Sequence, residues 1–92
     1  MYHHIPTGTP TPNLPASVVL AYLDGARRID VPLANGHTLV IMQELKPAFY
    51  LSIKDESHGN QLASFTSDLS PSPQHLETVC SHFVTAFNLI NK

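Results

Sequence analysis

Residues 17–45 read SVVLAYLDGARRIDVPLANGHTLVIMQEL, and two dipeptides inside this stretch, Asp24-Gly25 and Asn35-Gly36, decide how the chain is expected to fold. Each can place two residues at positive φ, which is what a two-residue type I′ hairpin loop requires, and each is flanked by alternating apolar runs. The stretch therefore predicts three antiparallel strands: Ser17–Leu23, Arg27–Leu33 and His37–Leu45. With two-residue loops, Leu20 falls opposite Ile29 and Val18 opposite Val31. Across the second loop, Val31 meets Val40 and Ile29 meets Met42, so one face of the meander is apolar.

Toward the C-terminus, Lys46-Pro47-Ala48-Phe49 fits a type I turn with Pro47 at its first central position. A strand over Ala48–Lys54 then continues the apolar face through Phe49, Leu51 and Ile53. The next loop, residues 55–60, holds His58-Gly59; with Gly59 left-handed in a three-residue loop, Ala63 and Phe65 of a further strand, Gln61–Thr66, turn inward. Ser72 and Pro73 then supply helix-start chemistry. From Pro73 to about Asn91, Leu76, Val79, Cys80, Phe83, Val84, Phe87 and Ile90 recur at spacings of three and four, a single apolar stripe facing the sheet. The expected fold is α+β: an antiparallel meander sheet of four to five strands with one C-terminal helix packed on one face.

Toward the N-terminus, residues 1–15 carry Pro6, Pro10, Pro12 and Pro15 among Thr7, Thr9 and Thr11. Proline removes backbone donors and fixes φ, so this stretch reads as an extended Pro/Thr-rich tail ahead of a single domain over residues 16–92. Ninety-two residues supply one core and no second domain.

Composition narrows the function classes. Charged residues make up only 13% of the chain, with a net charge of −2 and five cations, Arg27, Arg28, Lys46, Lys54 and Lys92. That is too few to neutralise a run of phosphates or to grip an anionic bilayer, so neither nucleic acid nor membrane is an expected partner. Residues 1–15 lack a signal peptide's cationic start and apolar core, no apolar run is long enough to span a bilayer, and the single Cys80 suits a reducing compartment; the reading is cytoplasmic.

No catalytic, cofactor or metal site is expected. His75 and His82 are seven apart on the helix, not at the i, i+4 spacing that holds zinc, and the other histidines are scattered. Cys80 falls on the apolar stripe, where a thiol is inert. The four glycines, Gly8, Gly25, Gly36 and Gly59, stand singly and make no phosphate loop. The polar run Asp55-Glu56-Ser57-His58 reads as a solvated hairpin loop, with a small-molecule pocket or minor enzyme near residues 55–60 as the alternative function.

The two-residue loops leave Val19, Ala21, Leu23, Leu39, Ile41 and Tyr50 on the sheet face away from the helix, with Arg28 among them as an interface anchor. Its competing role is pairing with Asp30 or Gln43. One helix cannot cover both faces. The expected function is thus a small non-enzymatic interaction module, an adaptor or inhibitor, binding a protein partner or a second copy of itself through that face.

Overall fold

Asp24-Gly25 ends a helix instead of turning a hairpin. In the computed structural model, which describes residues 13–33, 36–46, 48–55 and 59–90, the chain forms α1 (Ala16–Leu23), β1 (Arg28–Pro32), β2 (His37–Gln43), β3 (Phe49–Asp55), β4 (Gln61–Ser67) and α2 (Pro73–Ile90). Gly25 has φ 81°; its N–H donates to the Tyr22 carbonyl at 3.1 Å, and the Ala26 N–H donates to the Ala21 carbonyl at 3.0 Å. These two bonds are the Schellman closure of a helix C-terminus, in which glycine takes the left-handed position. Pro15 sits in extended backbone at the other end, its carbonyl accepting the Val18 N–H at 3.0 Å. The expected first strand is therefore α1, which buries Val18 and Tyr22, one turn apart on one side of the helix.

The remaining strands form the predicted antiparallel meander, in the order β1-β2-β3-β4. Their register differs from expectation at two loops. Between β2 and β3 a type I turn over residues 46–49 would set Lys46 opposite Phe49, but the Glu44 N–H donates to the Ala48 carbonyl at 3.3 Å and Gln43 pairs with Phe49; Pro47 lies outside the described residues. The other difference is between β1 and β2. The Leu33 N–H donates to the His37 carbonyl at 2.9 Å, leaving three residues, 34–36, between them, with Gly36 at φ 74°. A three-residue loop with glycine left-handed at its last position is the next commonest hairpin. One extra loop residue moves the pairing by one: Ile29 faces Ile41 and Val31 faces Leu39. Because side chains alternate with a period of two, that shift turns β2 over. Leu39 and Ile41, both at 0% exposure, take the core face, and Val40, itself buried at 1%, and half-buried Met42 take the other.

Read across the sheet, Ile29, Ile41, Leu51 and Phe65 form one row on the core face, and Val31, Leu39, Ile53 and Ala63 the next. Both helices cover this face. Val18 and Tyr22 of α1 and Leu76, Cys80, Val84 and Phe87 of α2 join the strand residues in one core cluster. Tyr22 meets Phe49 edge to face with centroids 6.2 Å apart, and its hydroxyl donates to the Pro71 carbonyl at 2.7 Å. The helix over Pro73–Ile90 follows the predicted stripe as far as Phe87, with Val79 and Phe83 half-buried at its side, whereas Ile90, expected on the stripe, is 82% exposed. Of the Pro/Thr-rich stretch, residues 1–12 lie outside the described residues. Leu14 is not part of a loose tail: it packs against the core, and its N–H donates to the Glu77 carboxylate at 2.8 Å.

Candidate interaction surfaces

The inverted β2 rebuilds the far face of the sheet. Its rows are Arg28, Met42, Tyr50, Thr66; then Asp30, Val40, Ser52, Ser64; then Pro32, Thr38, Lys54, Gln61. Apolar side chains are a minority here, so the broad greasy patch expected on this side does not exist. Leu39 and Ile41, expected at an interface, are core residues, and the cause is the three-residue loop. Val19 and Ala21 are half-buried on α1, and Leu23 is exposed at its end. Only Arg28 and Tyr50 keep their expected side of the sheet. The Arg28 Nε donates to the Asp30 Oδ1 at 2.9 Å, the rim pairing named as its competing role, and the Tyr50 hydroxyl shares a short hydrogen bond with the Gln61 side chain. The seven residues are therefore split among the core, a helix and a mostly polar sheet face.

Burial pushes the Cys80 thiol up to about 12, so it stays protonated inside the core. Ser72 Oγ and His75 Nδ1 lie 2.7 Å apart, but both are exposed at the start of α2. Among the described residues no group of three His, Cys, Asp or Glu side chains could hold a metal ion, and no helix is long and apolar enough to cross a membrane. Residues 56–58, central to the expected pocket at 55–60, lie outside the described residues. A depression of about 650 Å³ opens instead at the other end of the sheet, beside Arg27, Glu44 and Lys46. The Gln43 amide that borders it donates to the Tyr22 and Ala26 carbonyls at 3.2 and 2.9 Å, a bond set that fastens α1 to β2.

A different surface emerges where β4 meets α2. Phe65, expected inside, is 41% exposed because it lies on an edge strand that α2 does not fully overlap. Two adjoining depressions of about 390 and 310 Å³ share Phe65, Phe83 and Ala86 as walls. Val79 extends the groove one way, and Leu62 and Ile90 the other. Phe65 and Phe83 stand 6.3 Å apart in a tilted pair along it. His82 is the one ionisable side chain among the lining residues.

The backbone beside this groove is open as well. The Glu44 N–H donates to the Ala48 carbonyl and the Asp55 N–H to the Asn60 carbonyl. By alternation, the odd-numbered residues of β3 aim their backbone groups at β4. Their partners Ala63, Phe65 and Ser67 thus bond inward. Ser64 and Thr66 point their N–H and C=O groups away from the sheet. The stretch Gln61–Ser67 contains no charge and no proline, and its one irregularity is a bulge at the Ile53/Lys54 end. The opposite edge is different: β1 is five residues long and carries Arg28, Asp30 and Pro32. Short length, charge and proline are the devices that block strand addition, and β4 lacks all three.

Sequence reasoning could have found this surface from the uncharged run 59–67 standing last in the sheet. An inward direction does not by itself bury Phe65, because β4 has a neighbour on one side only. Comparison with protein-family models, with curated proteins and with solved structures finds no match for this chain.

Proposed function

We propose that this chain is a small non-catalytic interaction module that works by accepting an extended segment along β4. The observation that carries the reading is the coincidence of an unguarded strand edge with an apolar, nearly uncharged groove alongside it. Main-chain bonds to Ser64 and Thr66 supply affinity, while every second side chain of the incoming strand enters the groove between Phe65 and Phe83, the arrangement by which sheet edges select peptides. Such a segment is uncharged at its inward positions, since no basic or acidic side chain faces it there except His82.

The test uses short uncharged peptides with apolar residues at alternate positions, and matched peptides with Lys at those positions. Amide chemical shifts read where they land. Perturbations at Ser64 and Thr66 and along the Val79, Phe83 and Ala86 side of α2, from the apolar set alone, support the proposal. Binding that maps to the Arg28 and Tyr50 face or to the exposed Leu20 and Leu23 side of α1 overturns it, as does a lack of binding by either set when the chain is a monomer.

A further inference from the structure

We infer that the segment accepted by β4 is β4 of a second copy, the two strands running antiparallel about a two-fold axis at Phe65; this rests on the edge reading above and names its occupant. The geometry favours self-pairing in three ways. First, the regular part of the strand, Ala63–Ser67, is its own complement when centred on Phe65. Ser64 of one copy then lies opposite Thr66 of the other, and these are the two residues whose backbone groups point outward. Each Ser64–Thr66 pair exchanges two hydrogen bonds, and the bulge near Leu62 stays outside the paired segment.

Second, the side chains agree with the backbone. Phe65 meets Phe65 of the second copy in the close, non-hydrogen-bonded type of pair, where aromatic neighbours are favourable. Each ring already leans on Phe83 of its own chain. Four rings therefore line up across the axis, closing surface that is open at Phe65 (41% exposed) and near Ile90 (82% exposed). Because the strand carries no charge, a two-fold axis brings no like charges together.

Third, the assembly stops at two. An isologous pairing consumes the bare edge of both copies and leaves the guarded β1 edges outermost. The result is one continuous eight-stranded sheet, within the ordinary range for open sheets. The contact surface is one strand and one side of α2, at the small end for specific interfaces. Association is therefore a concentration-dependent equilibrium.

Light scattering and amide hydrogen exchange on the full chain test this together. The expected mass rises from 10.1 kDa toward twice that value as concentration goes from micromolar to millimolar, with exchange at Ser64 and Thr66 slowing in step. Thr66→Pro removes an outward N–H without touching the β3–β4 ladder, and it should hold the mass at one chain while far-UV circular dichroism stays unchanged. Ser64→Pro acts on the other outward N–H and serves as the second variant if the first does not fold. A single-chain mass throughout, with both amides exchanging freely, overturns the second-copy inference. If those amides then become protected on adding the apolar peptides, the edge reading survives and only the occupant is wrong. A dimer that persists in both proline variants overturns both.

Discussion

Leu39→Ala is the substitution that most directly probes the register. Leu39 sits in the middle of the sheet between Val31 and Ile53 at 0% exposure. Truncation removes three carbons, worth about 2.4 kcal/mol at about 0.8 kcal/mol per methylene, and the cavity left behind raises the cost to about 3–4 kcal/mol. A domain of this length has roughly 5–14 kcal/mol to lose, so the variant should remain folded with much of its margin gone. Urea unfolding followed by far-UV circular dichroism should show a large drop in midpoint at unchanged slope, and the thermal midpoint should fall by roughly 12–30 °C. Met42→Ala, on the half-buried far face, should cost about 1 kcal/mol. A one-residue slip of β2 exchanges the two positions. If Met42→Ala proves the more damaging change, the register and everything derived from it, including the polar character of the far face, are wrong.

Three other perturbations address separate features. Gly25→Ala meets nothing within 4 Å but must adopt φ 81°, so it should destabilise by about 1–2 kcal/mol in chemical denaturation through the backbone alone; an unchanged midpoint would remove the helix-cap assignment. Ser52 Oγ is buried without a hydrogen-bond partner, so Ser52→Ala should be neutral or stabilising by up to about 1 kcal/mol, and a loss of stability would show that the hydroxyl has a partner. Burial raises the Cys80 thiol from the usual 9.0 to about 12 and raises Tyr22 in the same direction. The unfolded chain then loses these protons first, and stability should fall as pH climbs from about 9 toward 12; a Cys80→Ala variant whose alkaline profile is no flatter than the parent's would contradict this.

Much of the architecture could be read from residues. Alternation marked β1 through β4, and the three-and-four spacing of Leu76, Cys80, Val84 and Phe87 marked α2, because each pattern is the trace of one buried face. Gly59 at φ 68° and the inward side of Ala63 and Phe65 also follow the sequence reading. Three features did not: the pairing at the loop before Phe49, where Glu44 rather than Lys46 closes the turn, and two that depend on glycine. Positive φ at Gly25 suits a hairpin loop or a helix C-cap equally well, and only the packing of Tyr22 on Phe49 selects the helix. At Gly36 the dipeptide does not state whether one or two residues precede the turn's last position. The core decides by burying Leu39 and Ile41. The candidate surface was illegible for a related reason: strand pattern reports which way a side chain points, whereas exposure of Phe65 depends on what lies sideways of its strand.

The Tyr22 hydroxyl reaches the Pro71 carbonyl 49 residues away, and the Leu14 N–H reaches Glu77 across 63. The first helix is thus fastened both by the sheet, through Gln43 and Phe49, and by residues far along the chain. Its contacts to Pro71 and Glu77 form late in folding, because local pairing forms early and such distant closure forms late. Removing α2 would therefore take away the Glu77 anchor of Leu14 and strip the sheet of the cover supplied by Leu76, Cys80, Val84 and Phe87, while Gln43 and Pro71 still hold Tyr22.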